Sequence, residues 1–116
     1  DFEESRETDI YIVNKGFEAE TLAIDLSRKL RNYDLLIELD LSGASFSKQL
    51  KKANKLKSKS IIVIGDNEAN KNQFVIRLFT EDSFKNMEET ISLGDSIKLD
   101  QWINNNLLLK NLSENL

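Results

Sequence analysis

Among its 116 residues the chain has no cysteine, no histidine and no proline, and only 4 glycines, one tryptophan and one methionine. Without cysteine and histidine there is no thiol nucleophile, no disulfide, no imidazole base and no zinc site of the usual ligands. That is compatible with the cytosol and otherwise leaves the compartment open. The missing proline has no physical explanation in the sequence. No apolar run approaches the roughly 20 residues that a membrane-spanning helix needs, and the acidic opening residues do not resemble a signal peptide. A glycine-rich phosphate loop, a nucleophile beside a base and a cluster of metal ligands are also missing. The sequence therefore names no catalytic residue and no metal ligand. Paired acids such as Glu3-Glu4 and Glu88-Glu89 read as solvated surface.

What is present describes one globular domain. The hydrophobic fraction is 40% and the charged fraction 31%, and a chain of this length can bury about two thirds of its unfolded surface. The net charge of −4 is unevenly spread. Between Ser45 and Gly65 stand six lysines (Lys48, Lys51, Lys52, Lys55, Lys57 and Lys59) and no acid, which leaves −10 for the rest of the chain. Positive charge confined to one face can attract phosphates even on an acidic protein. A solvated helix face is the alternative reading of the same lysines.

Asp1 to Asp9, with five acids and one arginine, reads as a lead-in. Ile10–Val13 is a β-branched run and the first strand. Asn14-Lys15-Gly16 turns into a helix from Phe17 to about Asn32, with Leu22, Leu26 and Leu30 every fourth residue beside Ala19 and Ala23. Leu35 to Leu41 alternates as a second strand, with Leu35, Ile37, Leu39 and Leu41 on one side and Leu36, Glu38 and Asp40 on the other. Ser45 is the expected N-cap of a second helix that reaches about Leu56. That helix buries Phe46, Leu50, Ala53 and Leu56 (or the stem of Lys57), and turns Lys48, Lys51, Lys52 and Lys55 outward. Ile61–Ile64 reads as a central strand buried on both faces, and the most buried of the sheet. A polar loop over 66–72, an alternating strand from Gln73 to Phe79, a polar turn over 80–86 and a weaker strand from Met87 to Leu93 follow. The last helix, about Ser96 to Leu108, buries Leu99, Trp102, Ile103 and Leu107, and 110–116 is a tail.

The order β-α-β-α-β-β-β-α predicts an α/β fold: a three-layer α/β/α domain with three helices on a mixed five-stranded sheet, mostly parallel with the fourth strand antiparallel. In such folds ligands sit at the carboxyl ends of the parallel strands. That edge gathers Asn14-Lys15-Gly16, Asp40 to Ala44 and Gly65 to Glu68, together with two helix N-termini suited to phosphate. Gly16 and Gly43 also have a plain reading as turn residues with positive φ.

Asp40-Leu-Ser-Gly-Ala-Ser-Phe-Ser-Lys-Gln-Leu-Lys-Lys-Ala53, followed by Ile61-Ile-Val-Ile-Gly-Asp-Asn-Glu68, resembles the C-terminal anticodon-binding domain of class IIa aminoacyl-tRNA synthetases, and most of all the histidyl subfamily. The matching residues are Ser42, Gly43, Ser45, Lys48, Gln49, Leu50, Lys51 and Ala53, then Gly65 and Glu68, with Arg77 in the basic position of the next strand. The resemblance covers about Asp9 to Leu108. Ala44 stands where the family often has arginine and Ser47 where it often has lysine, which removes phosphate contacts at the turn. Asp66 replaces a frequent glutamate and keeps its charge.

The resemblance implies a tRNA-binding module, with residues 10–109 as the domain, 1–9 as a linker from an upstream catalytic domain and 110–116 as a flexible tail. It implies that Glu68 and Arg77 contact anticodon bases, and that Lys15, Gly16, Ser42, Gly43, Ser45, Lys48, Gln49 and Lys52 make backbone or turn contacts. Splayed bases are read on their edges: a carboxylate accepts from base N–H groups, which suits the guanines of a histidine anticodon, and an arginine donates as a fork. Arg77 also has a local alternative, an ion pair with Glu38 or Asp40. The implied parent is a cytoplasmic, homodimeric histidine–tRNA ligase that uses ATP and magnesium elsewhere. This domain itself would be non-enzymatic, without a cofactor, and with neither DNA nor membrane as partner. A threonyl, prolyl or glycyl relative is the alternative within the family, and a regulatory protein-interaction module of the same fold is the alternative outside it.

Overall fold

The computed structural model describes residues 7–78 and 88–108. The expectations for the first lead-in residues, for Phe79, for the turn over 80–86, for Met87 and for the tail lie outside these residues.

Five strands form one sheet: β1 (Ile10–Asn14), β2 (Ile37–Leu39), β3 (Ser60–Ile64), β4 (Gln73–Leu78) and β5 (Glu88–Ser92). Their order is β2-β1-β3-β4-β5. β1 pairs parallel with β2 and β3, while β4 runs antiparallel to both β3 and β5. Four strands thus point one way and β4 the other. The described residues contain four α-helices rather than three: α1 (Phe17–Leu30), α2 (Phe46–Lys55), α3 (Asp66–Asn70) and α4 (Ser96–Ile103). The extra one, α3, was expected as loop. Glu68 makes it a helix, because its Oε1 reaches back to accept from the Gly65 N–H at 2.8 Å. A π-helical turn, Asn104–Leu108, extends α4 and buries Leu107.

The two faces of the sheet are covered unequally. One carries α1 and α4. Ile10, Ile12, Ile62, Ile64, Phe74, Ile76 and Ile91 pack there against Ala19, Ala23, Leu26 and Leu30 of α1, and against Leu99, Trp102 and Ile103 of α4. The other face carries α2, whose Ala53, Phe46 and Leu50 meet Tyr11, Val13, Ile61 and Val63. Among the described residues α2 covers β1 and β3 but not β4 and β5. The most buried strand is therefore β1, with all five residues inside, and not β3, where Val63 is half-buried.

Local chemistry explains the helix ends. α1 opens with Glu18 and Glu20 and closes with Arg28 and Lys29, matching its dipole. The Ser45 hydroxyl caps α2 by accepting from the Lys48 N–H at 3.3 Å. α2 stops before the position expected for Leu56, which is 41% exposed. The second strand is also shorter than the expected Leu35 to Leu41: β2 ends at Leu39, and Leu41 lies 59% exposed beyond it. At the opposite edge Thr8 and Asp9 belong to the folded unit rather than to a lead-in. The Asp9 carboxylate accepts from the Leu36 N–H at 2.8 Å, and its carbonyl accepts from the Ser60 hydroxyl at 2.7 Å.

Candidate nucleic-acid interface

The loops after β1, β2 and β3 meet at one edge, and side chains stitch them together. The Lys15 ammonium donates to the Gly43 carbonyl at 2.6 Å, joining the first loop to the second. Gly16 holds φ +116°, and a Cβ there would lie 2.2 Å from an oxygen of Asp66. The Asp66 carboxylate can swing aside, so it is the positive φ that calls for glycine here. Gly43 holds φ +70° in open space, so there the backbone conformation alone favours glycine.

Beneath these loops lies a buried polar network. Gln49, expected among the RNA or turn contacts, is 1% exposed and faces inward. Its Oε1 accepts from the Asn14 N–H at 2.9 Å, and its Nε2 donates to the Asn14 carbonyl at 2.7 Å and the Ala44 carbonyl at 2.8 Å. The amide thus pairs with Asn14 as a neighbouring strand would, and it cannot reach RNA. The Asn14 side chain donates to the Asp40 carbonyl at 2.8 Å, which ties β1 to the end of β2. Ser42 is exposed, but its hydroxyl donates to Asp40 at 2.5 Å and accepts from the Ala44 N–H at 3.2 Å, so it shapes the turn. Ser45 is likewise engaged as the helix cap.

Asp40 is the charged centre of this network. It accepts from the Tyr11 hydroxyl at 2.5 Å and from both the hydroxyl and the N–H of Ser42. Burial alone would raise its pKa. The Ser42 hydroxyl, the Tyr11 hydroxyl, the Ser42 N–H and the charge of Lys52 outweigh burial and hold it below the ordinary 3.8. Tyr11 is pushed well above its ordinary 10.0, first by burial, then by the bond to Asp40 and by the charges of Asp40 and Glu38.

Linkage gives each shift a sign. The stabilisation from Asp40 is complete above its unfolded pKa and is lost as pH falls through the lower folded value. That from Tyr11 is complete below 10.0 and is lost as pH rises through the higher folded value. Tyr11→Phe leaves the carboxylate one donor short in a buried site, so it should cost about 1–3 kcal/mol near neutral pH. In denaturant titrations the gap from the wild type should narrow as pH rises above 10.0. A gap unchanged into strong alkali would detach Tyr11 from this linkage.

On the α2 face a cavity of about 250 Å³ opens beside β4, lined by Val13, Phe46, Leu50, Val63, Glu68, Val75, Arg77 and Glu88. It brings Glu68 and Arg77 together although Arg77 lies four residues into its strand. Strand register explains Arg77. One row across the sheet runs Glu38, Tyr11, Ile61, Arg77, Glu88. Glu38 is three strands away, roughly 14 Å at the usual spacing, whereas Glu88 is the direct neighbour. Arg77 accordingly pairs with Glu88, Nη1 to Oε1 at 3.7 Å, rather than with Glu38 or Asp40. Its Nε is buried and, among the described residues, has no hydrogen-bond partner. Glu88 is the residue of this cavity that sequence reasoning assigned to plain surface. No local signal could have found it, since its place depends on how β5 registers against β4.

Lys48, Lys51, Lys52 and Lys55 project from the outer face of α2. Among the described residues the ion pairs are Lys59–Asp9, Arg77–Glu88 and Lys98–Glu89, so none of these four is paired. The candidate interface thus combines unpaired lysines on a helix, loops fixed by buried hydrogen bonds, and an apolar-floored cavity lined by Glu68, Arg77 and Glu88.

Residues 9–99 match the family described as anticodon binding domain. The histidine–tRNA ligase of Prochlorococcus marinus subsp. pastoris is 74% identical over 113 residues, covering 97% of this chain and 26% of the relative. The apo histidyl-tRNA synthetase of S. aureus aligns with a TM-score of 0.67 at 28% identity, over 82% of this chain and 23% of that one. The RNA binding domain of threonyl-tRNA synthetase from Cryptosporidium parvum aligns with a TM-score of 0.66 at 20% identity, over 80% and 22%, a likeness of fold alone. The chain spans about a quarter of the length of the curated relatives it matches. It therefore belongs to the anticodon binding domain family.

Proposed function

We propose that this chain grips the anticodon stem-loop of histidine tRNA on behalf of a histidine–tRNA ligase. The observation that supports this best is the cavity that Glu68 and Arg77 line together over an apolar floor, with no hydrogen bond from Arg77 among the described residues. A splayed base stacks on Val13, Val63, Val75 and Phe46, and presents its edge to the fork and the carboxylates. Lys15, Lys48 and Lys52, with Gly16, Ser42, Gly43 and Ser45 around them, face the sugar–phosphate backbone. In the parent, ATP-dependent attachment of histidine belongs to residues outside this chain, which would hold ATP and magnesium. The parent is assigned to the cytoplasm as a homodimer, and this domain to RNA rather than DNA or membrane. The 74% identity to histidine–tRNA ligases favours this reading over a threonyl, prolyl or glycyl parent.

The deciding experiment compares, in the full-length protein, histidine attachment to wild-type tRNA and to tRNA with a changed anticodon. Base contacts of this kind are worth about 1–3 kcal/mol each, or roughly 5- to 150-fold in discrimination. Arg77→Ala and Glu68→Gln should each cut the discrimination by such a factor. Glu68→Gln is the more informative change, because a glutamine oxygen can still accept from the Gly65 N–H and keep α3 folded. Unchanged discrimination in both variants would leave Glu68 as a helix cap and nothing more.

The lysines carry a different signature. Affinity for any stem-loop should fall with salt, with a log–log slope of about −0.7 to −0.9 per phosphate neutralised. Charge reversal at Lys48 and Lys52 should flatten that slope and weaken cognate and changed stem-loops alike. A titration with the same slope before and after reversal would return these lysines to the solvated surface, and a protein-interaction module would then be the better reading.

A further inference from the structure

The cavity contains a second carboxylate whose role goes beyond an edge-strand ion pair. Glu88 stands directly opposite Arg77 in the β4–β5 register. The 3.7 Å separation of its Oε1 from Nη1 is an ion-pair contact beyond hydrogen-bond length. Glu88 thus restrains the guanidinium without consuming its N–H donors. Apart from Glu68, Arg77 and Glu88, every lining residue is apolar. The Nη groups of Arg77 make no hydrogen bond among the described residues, and its side chain is 32% exposed, so they are open to a ligand acceptor.

We propose that Glu88 is a positioning residue that turns Arg77 from a general anion site into a reader of base edges. The inference rests on the RNA-reading function proposed above. An unaccompanied arginine fork takes a phosphate at least as readily as a base edge. A carboxylate within 4 Å of that fork repels phosphate and leaves the neutral acceptors of a base as the ligand. Glu88 also limits the swing of the guanidinium, holding it beside the floor of Val63 and Val75.

The test uses the full-length protein and two probes, tRNA bearing the histidine anticodon and the same tRNA with the anticodon changed. Glu88→Gln should weaken the cognate about threefold and tighten the changed tRNA about threefold, lowering discrimination about tenfold. In an Arg77→Ala background the same substitution should leave discrimination unaltered, since the effect travels through Arg77. A merely structural role cannot move two affinities in opposite directions. Both affinities shifting together, or the full effect persisting without Arg77, overturns the proposal while leaving the RNA-reading function intact. A wild-type protein that does not discriminate anticodons overturns both.

Discussion

Gln49→Ala should lower unfolding stability by about 2–4 kcal/mol, although the residue adds no charge and lies outside the apolar core. The reason is what its removal strands. The Asn14 N–H loses its acceptor, and the carbonyls of Asn14 and Ala44 lose their donors. Each buried group left without a partner costs about 1–3 kcal/mol, less whatever an entering water restores. The amide geometry can be separated from side-chain volume. Gln49→Glu keeps the shape but aims a carboxylate at two carbonyl oxygens, so it should be at least as damaging as alanine and should improve when acid protonates it. Urea unfolding across pH measures both. A loss under about 0.5 kcal/mol for alanine would mean that the network is not what holds the loops. The consequence for RNA follows from position: Gln49 fastens the loop with Lys15 to the turn with Gly43. Its loss should weaken all stem-loops, cognate or not, unlike the loss of a base-reading residue.

Ile62→Ala should cost about 2–5 kcal/mol, and Val63→Ala distinctly less. Ile62 is fully buried between Ile12 on β1 and Ile76 on β4, at the same level of the sheet and under the cover of α1 and α4. Truncation there opens a void that packed neighbours cannot fill. Val63, next in sequence, points to the other face, where α2 leaves it half-buried beside the cavity. Equal losses at the two positions in denaturant midpoints would contradict the one-sided cover of the sheet. If the cavity is the base-reading site, Val63→Ala should disturb RNA discrimination more than it disturbs folding.

Much of this protein was legible one segment at a time. The β-branched runs of β1 and β3, the alternation of β4 and the leucine spacing of α1 are local patterns, and they became the elements they predict. Ser45 carried its capping role openly, because a cap acts within one turn. Gly16 and Gly43 were readable as positive-φ positions for the same reason. The ordered motif from Asp40 to Glu68, with Arg77 beyond it, pointed to an anticodon-binding domain, and the family match over residues 9–99 agrees.

Tertiary structure decided which side chains meet. Arg77 could have paired with Glu38, Asp40 or Glu88 by charge alone. The choice fell to Glu88 because β5 lies next to β4 in a register that sets the two opposite each other, while Tyr11 and Ile61 separate Arg77 from Glu38. By the resemblance Gln49 belongs among the RNA backbone or turn contacts. It turned inward because α2 lies across β1 with Asn14 beneath that position, and an amide can satisfy both of that residue's backbone groups. The polar run after Gly65 became α3 once Glu68 closed its first turn. Helix and strand periods are set within a few residues and can be read from the sequence. Strand register and the partner of a buried polar group depend on residues far apart in the sequence, such as Tyr11 and Ile61 or Gln49 and Asn14, and only the folded chain brings those together.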